Sequence, residues 1–165
     1  MYSALDIAKW FLAKNHSENR LFESAEELYE GISHLKLQKL LYYAEGIYLA
    51  LNDSKLFKED IIAWQHGPVI SSVYEEYKKF GKDFIVFNAD ESDVELIDRI
   101  ENDEKAIEAL ELTYNSFAIY TAWQLRNMTH EKNSPWDVTV SQKGLSSVID
   151  STLIKEYFRG NIFEN

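Results

Sequence analysis

The stretch from Leu35 to Leu51, LKLQKLLYYAEGIYLAL, dominates the hydrophobic pattern of the chain. At 3.6 residues per turn, its apolar side chains form one wide stripe, which consists of Leu37, Leu40, Leu41, Ala44, Ile47, Tyr48 and Leu51. Two further faces are also apolar, and the plainly polar edge consists only of Gln38, Glu45 and Asn52. A helix that is apolar on most sides must be covered on most sides, so this stretch predicts a central core helix.

The ends and the middle of this helix carry their own signals. Ser33 is a suitable N-cap, and residues 52–54 (Asn-Asp-Ser) are a suitable stop. Gly46 costs about 1 kcal/mol relative to alanine in a helix interior, and such a glycine commonly permits close approach of another backbone. We therefore expect a neighbouring backbone to pack against Gly46.

Further helices are predicted on both sides of the central one. Three pairs have the spacing of a capping box: Ser3 with Asp6, Ser24 with Glu27, and Thr121 with Gln124. The first opens a short helix that ends at a polar break over residues 15–20, and Gly31 ends the brief helix that follows the second. Apolar stripes predict three more helices: one over Val69–Phe80 with Pro68 in its first turn and Gly81 at its end, one over Lys105–Ala118, and a terminal one over Leu153–Phe158 that stops at Gly160.

Strand signals are weak by comparison. Ile61–Trp64 could form a short strand or an extended core-lining segment, and Phe84–Phe87 is a second strand candidate. The segment from Asn88 to Glu104 contains eight acidic residues against Arg99 alone, which is typical of a solvated face with a short amphipathic helix. Residues 129–136 are predicted to be irregular. The pattern as a whole predicts a mainly α protein, a single compact helical domain over residues 1–165 around a central helix, with at most a small β element.

Composition narrows the classes of function. The 165 residues include no cysteine, which excludes thiol nucleophiles, disulfides and zinc–thiolate sites. The N-terminus lacks the features of a signal peptide and no apolar run reaches the roughly 20 residues that span a bilayer, so we expect a cytoplasmic protein without membrane contact. The net charge of −11 disfavours direct binding of nucleic acid and favours a basic protein partner, although solubility alone also explains it.

Motifs for catalysis or cofactor binding are missing from the sequence. It contains no glycine-rich dinucleotide or phosphate loop and no G-x-S-x-G, and His130-Glu131 lacks the second histidine of a zinc-binding H-E-x-x-H. We therefore expect no catalytic residues, no cofactor and no metal. His66 and His130 stand out because each lies in a loop beside Gly, Pro or Trp. A small hydrolase or transferase that uses these two histidines with an acidic residue is the alternative to a binding module.

Three blocks carry a resemblance to a known family. LKLQKLLYYAEGIYLAL, AWQHGPVISSVYEEYKKFG and LRNMTHEKNSPW occur in this order between residues 35 and 136. In order and spacing they resemble the Panacea domain, the SocA/GepA-like family of bacterial and phage-associated antitoxins. The resemblance implies an antitoxin that neutralises a co-encoded toxin by direct protein contact. Some members resemble proteolytic adaptors, for which a ClpXP-type protease is a further partner.

The second and third blocks also give the candidate site. We expect the Gly-Pro and Pro-Trp loops to be neighbours, with His66 and His130 fastening them through hydrogen bonds. The residues expected to bind a partner or to fasten these loops are Trp64, His66, Gly67, Pro68, His130, Pro135 and Trp136. The acidic segment from Asn88 to Glu104 is the candidate for steering a basic partner.

Overall fold

The computed structural model describes residues 1–21 and 31–161. Its elements are α1 (Ala4–Leu21), α2 (His34–Asn52), β1 (Ile62–Trp64), β2 (Gly67–Val69), α3 (Ser71–Tyr77) with a 3-10 turn (Lys78–Phe80), α4 (Glu91–Glu101), α5 (Glu104–Phe117), α6 (Ala122–Thr129), α7 (Pro135–Lys143) and α8 (Ser151–Asn161). This confirms the mainly α, compact fold with a small β element. The brief helix expected after the Ser24–Glu27 capping box lies outside the described residues. No helix in the described ranges is both long and apolar enough to cross a membrane.

Helix α2 lies at the centre, as its sequence predicts. It contacts α1, α3, α5, α6 and α8, and its residues are buried without interruption from Lys36 to Ile47. The Ser33 side chain accepts a hydrogen bond from the Lys36 amide, and Asp53 ends the helix in the left-handed conformation at φ 55°. Leu51 departs from the expected stripe, because 42% of it is exposed where the helix emerges from the core.

Two of the three residues that form the polar edge of α2 do not face water. Gln38 and Glu45 are buried, because backbone segments that need hydrogen-bond partners pack against that edge. Gln38 exchanges two hydrogen bonds with Ile70, donating to its carbonyl at 3.2 Å and accepting from its amide at 2.8 Å. Lys36 is also buried and donates to the Ala118 carbonyl at 2.7 Å. Polar groups of the central helix thus hold the surrounding chain in place.

A side chain, not a backbone, packs against Gly46. A Cβ at this position would lie 2.4 Å from two atoms of the Phe158 ring, so the missing side chain makes room for an aromatic residue of α8. The Phe158 ring also contacts Tyr42 and Tyr43 edge-on, at centroid distances of 5.5 and 5.8 Å. The expected backbone approach is wrong, because α8 crosses α2 with a large aromatic side chain in the gap.

Two predictions about strands and their neighbours need correction. Ile62–Trp64 is a strand, and it pairs in antiparallel register with Gly67–Val69. Pro68 therefore lies in β2 and not in the first turn of a helix, and α3 begins at Ser71. The second strand candidate, Phe84–Phe87, is not a strand, since it only forms one bridge to Ser33 and donates from the Ile85 amide to the Ile32 carbonyl. It has no partner segment long enough for a ladder in the described chain.

The helices begin where the capping pairs predict, but several of them extend beyond the predicted bounds. The Ser3–Asp6 box forms, but α1 continues through the polar residues 15–20, where Asn15 is buried and donates to the Tyr114 hydroxyl at 3.3 Å. The Thr121–Gln124 box also forms at the start of α6. Helix α7 begins at Pro135, inside the segment expected to be irregular, and α8 continues one residue beyond Gly160.

The acidic segment is an ordered helix with defined caps. Asp90 and Asp93 form a reciprocal capping box at the start of α4, and Asp93 also pairs with Lys9 of α1 at 2.7 Å. Asp103 caps α5 by accepting from the Ala106 amide, and it accepts from the Tyr2 hydroxyl at 2.7 Å. Three of the eight acidic residues thus have structural partners, and the remaining ones are exposed.

Candidate partner-binding site

The site is built on a tight β-hairpin that lies over the central helix. Strands β1 and β2 pair Trp64 with Gly67, so only Gln65 and His66 form the turn. Gly67 has φ +111°, a conformation that favours glycine, and a Cβ there would lie 2.9 Å from Thr129 Oγ1 and 3.0 Å from Lys39 Cε. Gly67 is therefore required both by the turn and by the close contact beneath it.

Lys39 of α2 supports the hairpin from below. Its side chain is fully buried, and Nζ donates to the carbonyl of the buried Pro68 at 3.1 Å. Burial penalises the ammonium, and the positive charge of Arg126 adds to this effect, so the pKa of Lys39 falls from 10.5 to about 7. A lysine beneath a Gly-Pro turn is thus a structural group whose charge depends on pH near neutrality.

The Pro-Trp segment lies directly against the hairpin. The Trp136 indole Nε1 donates to the Trp64 carbonyl at 2.7 Å. His130 Nε2 lies 3.1 Å from the Gln65 carbonyl oxygen, Nδ1 lies 2.7 Å from that of Arg126, and the imidazole is 3.8 Å from the Trp136 ring between centroids. His130 and Trp136 thus join the two loops, whereas His66 is exposed at the tip of the turn.

Pro135 has a different position from its neighbour Trp136. It is buried as the first residue of α7, where its missing N–H costs nothing. Ser134 caps this helix by accepting from the Asp137 amide at 3.2 Å, and its hydroxyl donates to the Thr129 carbonyl at 2.9 Å. These contacts fix the direction in which α7 leaves the site and therefore the position of the Trp136 ring.

The chemistry available to this cluster is limited by its partners. The ring nitrogens of His130 lie closest to the carbonyl oxygens of Arg126 and Gln65, which only accept hydrogen bonds. The Thr129 hydroxyl is 3.4 Å from Nδ1, but it is buried and donates to the Arg126 carbonyl at 2.7 Å, so it is not placed as a nucleophile. Across residues 1–21 and 31–161, no group of three or more histidine or acidic side chains could hold a metal ion. The arrangement positions loops and presents side chains at a surface.

An exposed tryptophan that the sequence analysis did not single out lies beside the hairpin tip. Trp123 of α6 is 55% exposed, its ring lies 6.2 Å from that of His66, and the Arg126 guanidinium lies 4.6 Å from its centroid. A signal for it exists in the sequence: Leu125 and Met128 mark the inner face of α6, and Trp123 lies off that face.

On the other side of the hairpin there is a mainly apolar pocket of about 250 Å³. Trp64 and Tyr74 line it with rings 4.9 Å apart, and His34 closes one end with its ring 5.7 Å from that of Tyr74. Burial and the charge of Lys39 lower the pKa of His34. The hairpin surface, defined here as Trp64, His66, Tyr74 and Trp123, therefore combines this pocket with an exposed aromatic residue.

Comparison with known proteins places the chain in a family. Residues 37–137 match the family model described as "Antitoxin SocA-like, Panacea domain". Antitoxin SocA of Caulobacter vibrioides (strain NA1000 / CB15N) is 32% identical over 149 residues, which cover 86% of this chain and 79% of that protein. None of the solved structures matches this chain. The matched region contains most of α2, the hairpin, α6 and the Pro-Trp segment.

Proposed function

Because this chain belongs to the SocA-like antitoxin family that carries the Panacea domain, we propose that it neutralises a co-encoded protein toxin by binding it directly. It acts in the bacterial cytoplasm and does so without catalysing a reaction. The cluster at the hairpin supports this proposal, since its hydrogen-bonding groups hold loops together and its aromatic rings lie at the surface.

The observation that carries the proposal is the hairpin surface itself. Trp123 of α6 is exposed, with its ring 6.2 Å from that of His66, and His66 also lines the pocket walled by Trp64 and Tyr74. The hairpin that carries Trp64 and His66 is fastened by His130 and Trp136. Aromatic side chains next to pockets supply most of the binding energy at protein interfaces, and a rigid support lowers the entropic cost of binding. We assign the anchoring contacts with the toxin to this surface.

Charge supports a basic toxin as the partner. Four exposed carboxylates, Glu91, Glu95, Asp98 and Glu101, lie on α4, and the net charge of the chain is −11. A field of this sign accelerates encounter with a positively charged protein. The anchoring surface and the steering charge then act at different stages, the first on dissociation and the second on association.

The alternative of a histidine-dependent hydrolase or transferase is not favoured by the geometry. Catalysis by His130 would require one of its ring nitrogens to face a substrate or an available nucleophile. Both nitrogens lie closest to carbonyl oxygens, and the Thr129 hydroxyl near Nδ1 already donates to the Arg126 carbonyl. His66 is exposed and lies near Trp123.

A role as an adaptor for a ClpXP-type protease is implied by the family resemblance alone. Such a role would also require the chain to bind the toxin.

The test uses co-expression with the product of the neighbouring gene. We expect a stable complex with the toxin, and we expect Trp123→Ala to raise its Kd about tenfold through faster dissociation. Val86→Ala is the matched control, since Val86 is 69% exposed away from the hairpin, and it should leave the Kd unchanged. No complex between the wild-type chain and a toxic neighbour would refute direct neutralisation.

Rescue experiments separate sequestration from delivery to a protease. If sequestration suffices, protection should require about as much antitoxin as toxin, with or without the protease. Protection at much lower antitoxin levels that disappears in a strain lacking ClpXP would instead show that the chain acts as an adaptor.

A further inference from the structure

We propose that a second pocket, lined by Glu45 of α2 and separate from the hairpin surface, binds an arginine side chain of the partner protein. The pocket has a volume of about 280 Å³ and lies between α2, the connection from α2 to β1, and the start of α8. This inference rests on the proposed function, since it names a chemical group that the toxin would present.

The pocket walls are held by backbone hydrogen bonds from three separate segments. The Ile149 amide donates to the Ile61 carbonyl at 2.8 Å, which ties the start of α8 to the segment before β1. The amides of Leu56 and Phe57 donate to Glu45 Oε2 at 2.9 and 3.3 Å, which ties the connecting segment to α2. The pocket is therefore built into the fold.

Glu45 is the residue that points to a ligand. It is 1% exposed and lines the pocket, and within the described part of the chain its Oε1 is buried without a hydrogen-bond partner. A buried carboxylate oxygen without a donor is costly. A donor that enters the pocket would complete the set of hydrogen bonds around this carboxyl group.

The surrounding charges select a cation. Glu59, Asp60 and Asp150 line the same pocket as Glu45, against the single positive charge of Lys55. Lys55 Nζ donates to the carbonyls of Lys58 and Glu59 at 3.2 Å each and lies 3.8 Å from the Asp60 carboxylate. It is thus engaged by the connecting segment, while Glu45 Oε1 still lacks a donor.

Size and hydrogen-bonding capacity indicate arginine. With about 280 Å³, the pocket is at the lower limit of the roughly 300–1,000 Å³ typical of small-molecule sites, and it has room for the head and part of the stem of one side chain. A guanidinium group carries five donors in a plane and is weakly hydrated, so it can satisfy several carboxylates and tolerates burial. An arginine on a basic partner therefore matches both the shape and the charge of this pocket.

The protonation of Glu45 gives the site a characteristic signature. Burial raises the pKa of Glu45 from 4.5 to about 7, while the amides of Leu56 and Phe57 and the charge of Lys55 act against this rise and Glu59 adds to it. A bound guanidinium would favour the ionised carboxylate and lower this pKa. Binding should therefore release a proton near pH 7 and strengthen as the pH rises from 6 to 8.

The first experiment examines the pocket alone in the full chain. N-acetyl-arginine amide is titrated into the labelled protein by NMR, with the uncharged isostere N-acetyl-citrulline amide as the matched probe. We expect shifts at Glu45, Leu56, Phe57 and Asp150 with the arginine probe only, and their loss in Glu45→Gln, which keeps the acceptor for both amides. Equal shifts with both probes, or unchanged shifts in Glu45→Gln, would overturn the proposal, because binding would then not depend on a cation facing Glu45. No shift with either probe would also overturn it and leave a pocket that binds water only.

The second experiment uses the complex with the toxin. Glu45→Gln and the rim variant Asp60→Asn should each raise the Kd about tenfold, whereas Glu108→Gln, an exposed acid on α5 outside the pocket and outside α4, should leave the Kd unchanged. If the wild-type chain binds the toxin and both pocket variants bind it equally well, the pocket assignment fails and the proposed function stands. If the wild-type chain binds no toxin, the proposed function fails, and the arginine probe alone judges the pocket.

Discussion

His130 and His66 contact the same hairpin in different ways, and their substitution should have opposite consequences. His130→Ala removes the contact to the Gln65 carbonyl and the close ring contact with Trp136, so it should lower the free energy of unfolding by about 1–3 kcal/mol. His66→Ala, at the exposed tip, should change stability by less than about 0.5 kcal/mol and weaken toxin binding. Urea unfolding and binding measurements on both variants check this, and equal effects of the two on stability would contradict it.

Lys39 should make stability depend on pH above neutrality. The unfolded lysine keeps its proton up to about pH 10.5, whereas the folded one releases it near 7, so in this window the unfolded state binds more protons. The free energy of unfolding of the wild type, measured relative to that of Lys39→Met, should therefore be lowest below pH 7. It should rise by up to about 1.4 kcal/mol per pH unit between pH 7 and 10.5.

Chemical denaturation at several pH values measures this dependence. Lys105→Met is the matched control, because Lys105 is exposed at the start of α5, and its difference from wild type should stay nearly constant over the same range. A constant difference between wild type and Lys39→Met would show that the buried lysine does not titrate on unfolding.

At the level of elements, the packing of α8 on α2 depends on one glycine. Gly46→Ala places a Cβ 2.4 Å from the Phe158 ring, and this overpacking should lower the free energy of unfolding by about 1–3 kcal/mol. Gly160→Ala is the control within the same pair of helices, since in the described part of the chain no atom beyond its own helical turn lies within 4 Å of its Cβ. It should be neutral or stabilising by up to about 1 kcal/mol.

Phe158→Leu provides the second check on this contact. Combined with Gly46→Ala, it should cost less than the sum of the two single substitutions, because the smaller side chain relieves the clash. Additive effects in thermal or urea unfolding would place the strain elsewhere in the α2–α8 interface.

For the whole molecule, charge should govern the rate of association with the toxin. Changing Glu91, Glu95 and Glu101 to Gln and Asp98 to Asn should slow association about tenfold at low ionic strength and alter dissociation little. Asp90, Asp93 and Asp103 are left intact because they cap α4 and α5. The difference should shrink at physiological salt, where the Debye length is about 8 Å. An unchanged association rate at low salt would contradict steering by α4.

The sequence alone determined the class of fold and most of its helix ends. Apolar periodicity identified α2 as central, and capping pairs such as Thr121–Gln124 marked where helices begin, because both signals depend on residues close in the chain. The loop residues of the candidate site also follow from local sequence, since glycine, proline and tryptophan lie beside histidine in both loops. The resemblance of these blocks to a known family indicated an antitoxin.

Only the tertiary structure decided how the polar residues are used. Gln38, Lys39 and Glu45 have the same local pattern whether they face water or bind backbone from distant segments, so no periodicity reveals their burial. The occupant of the space at Gly46, the pairing of Pro68 in a strand, and the pocket around Glu45 likewise depend on residues far apart in the chain. Contacts of that kind form only when the helices pack, and packing sets which polar groups lose water.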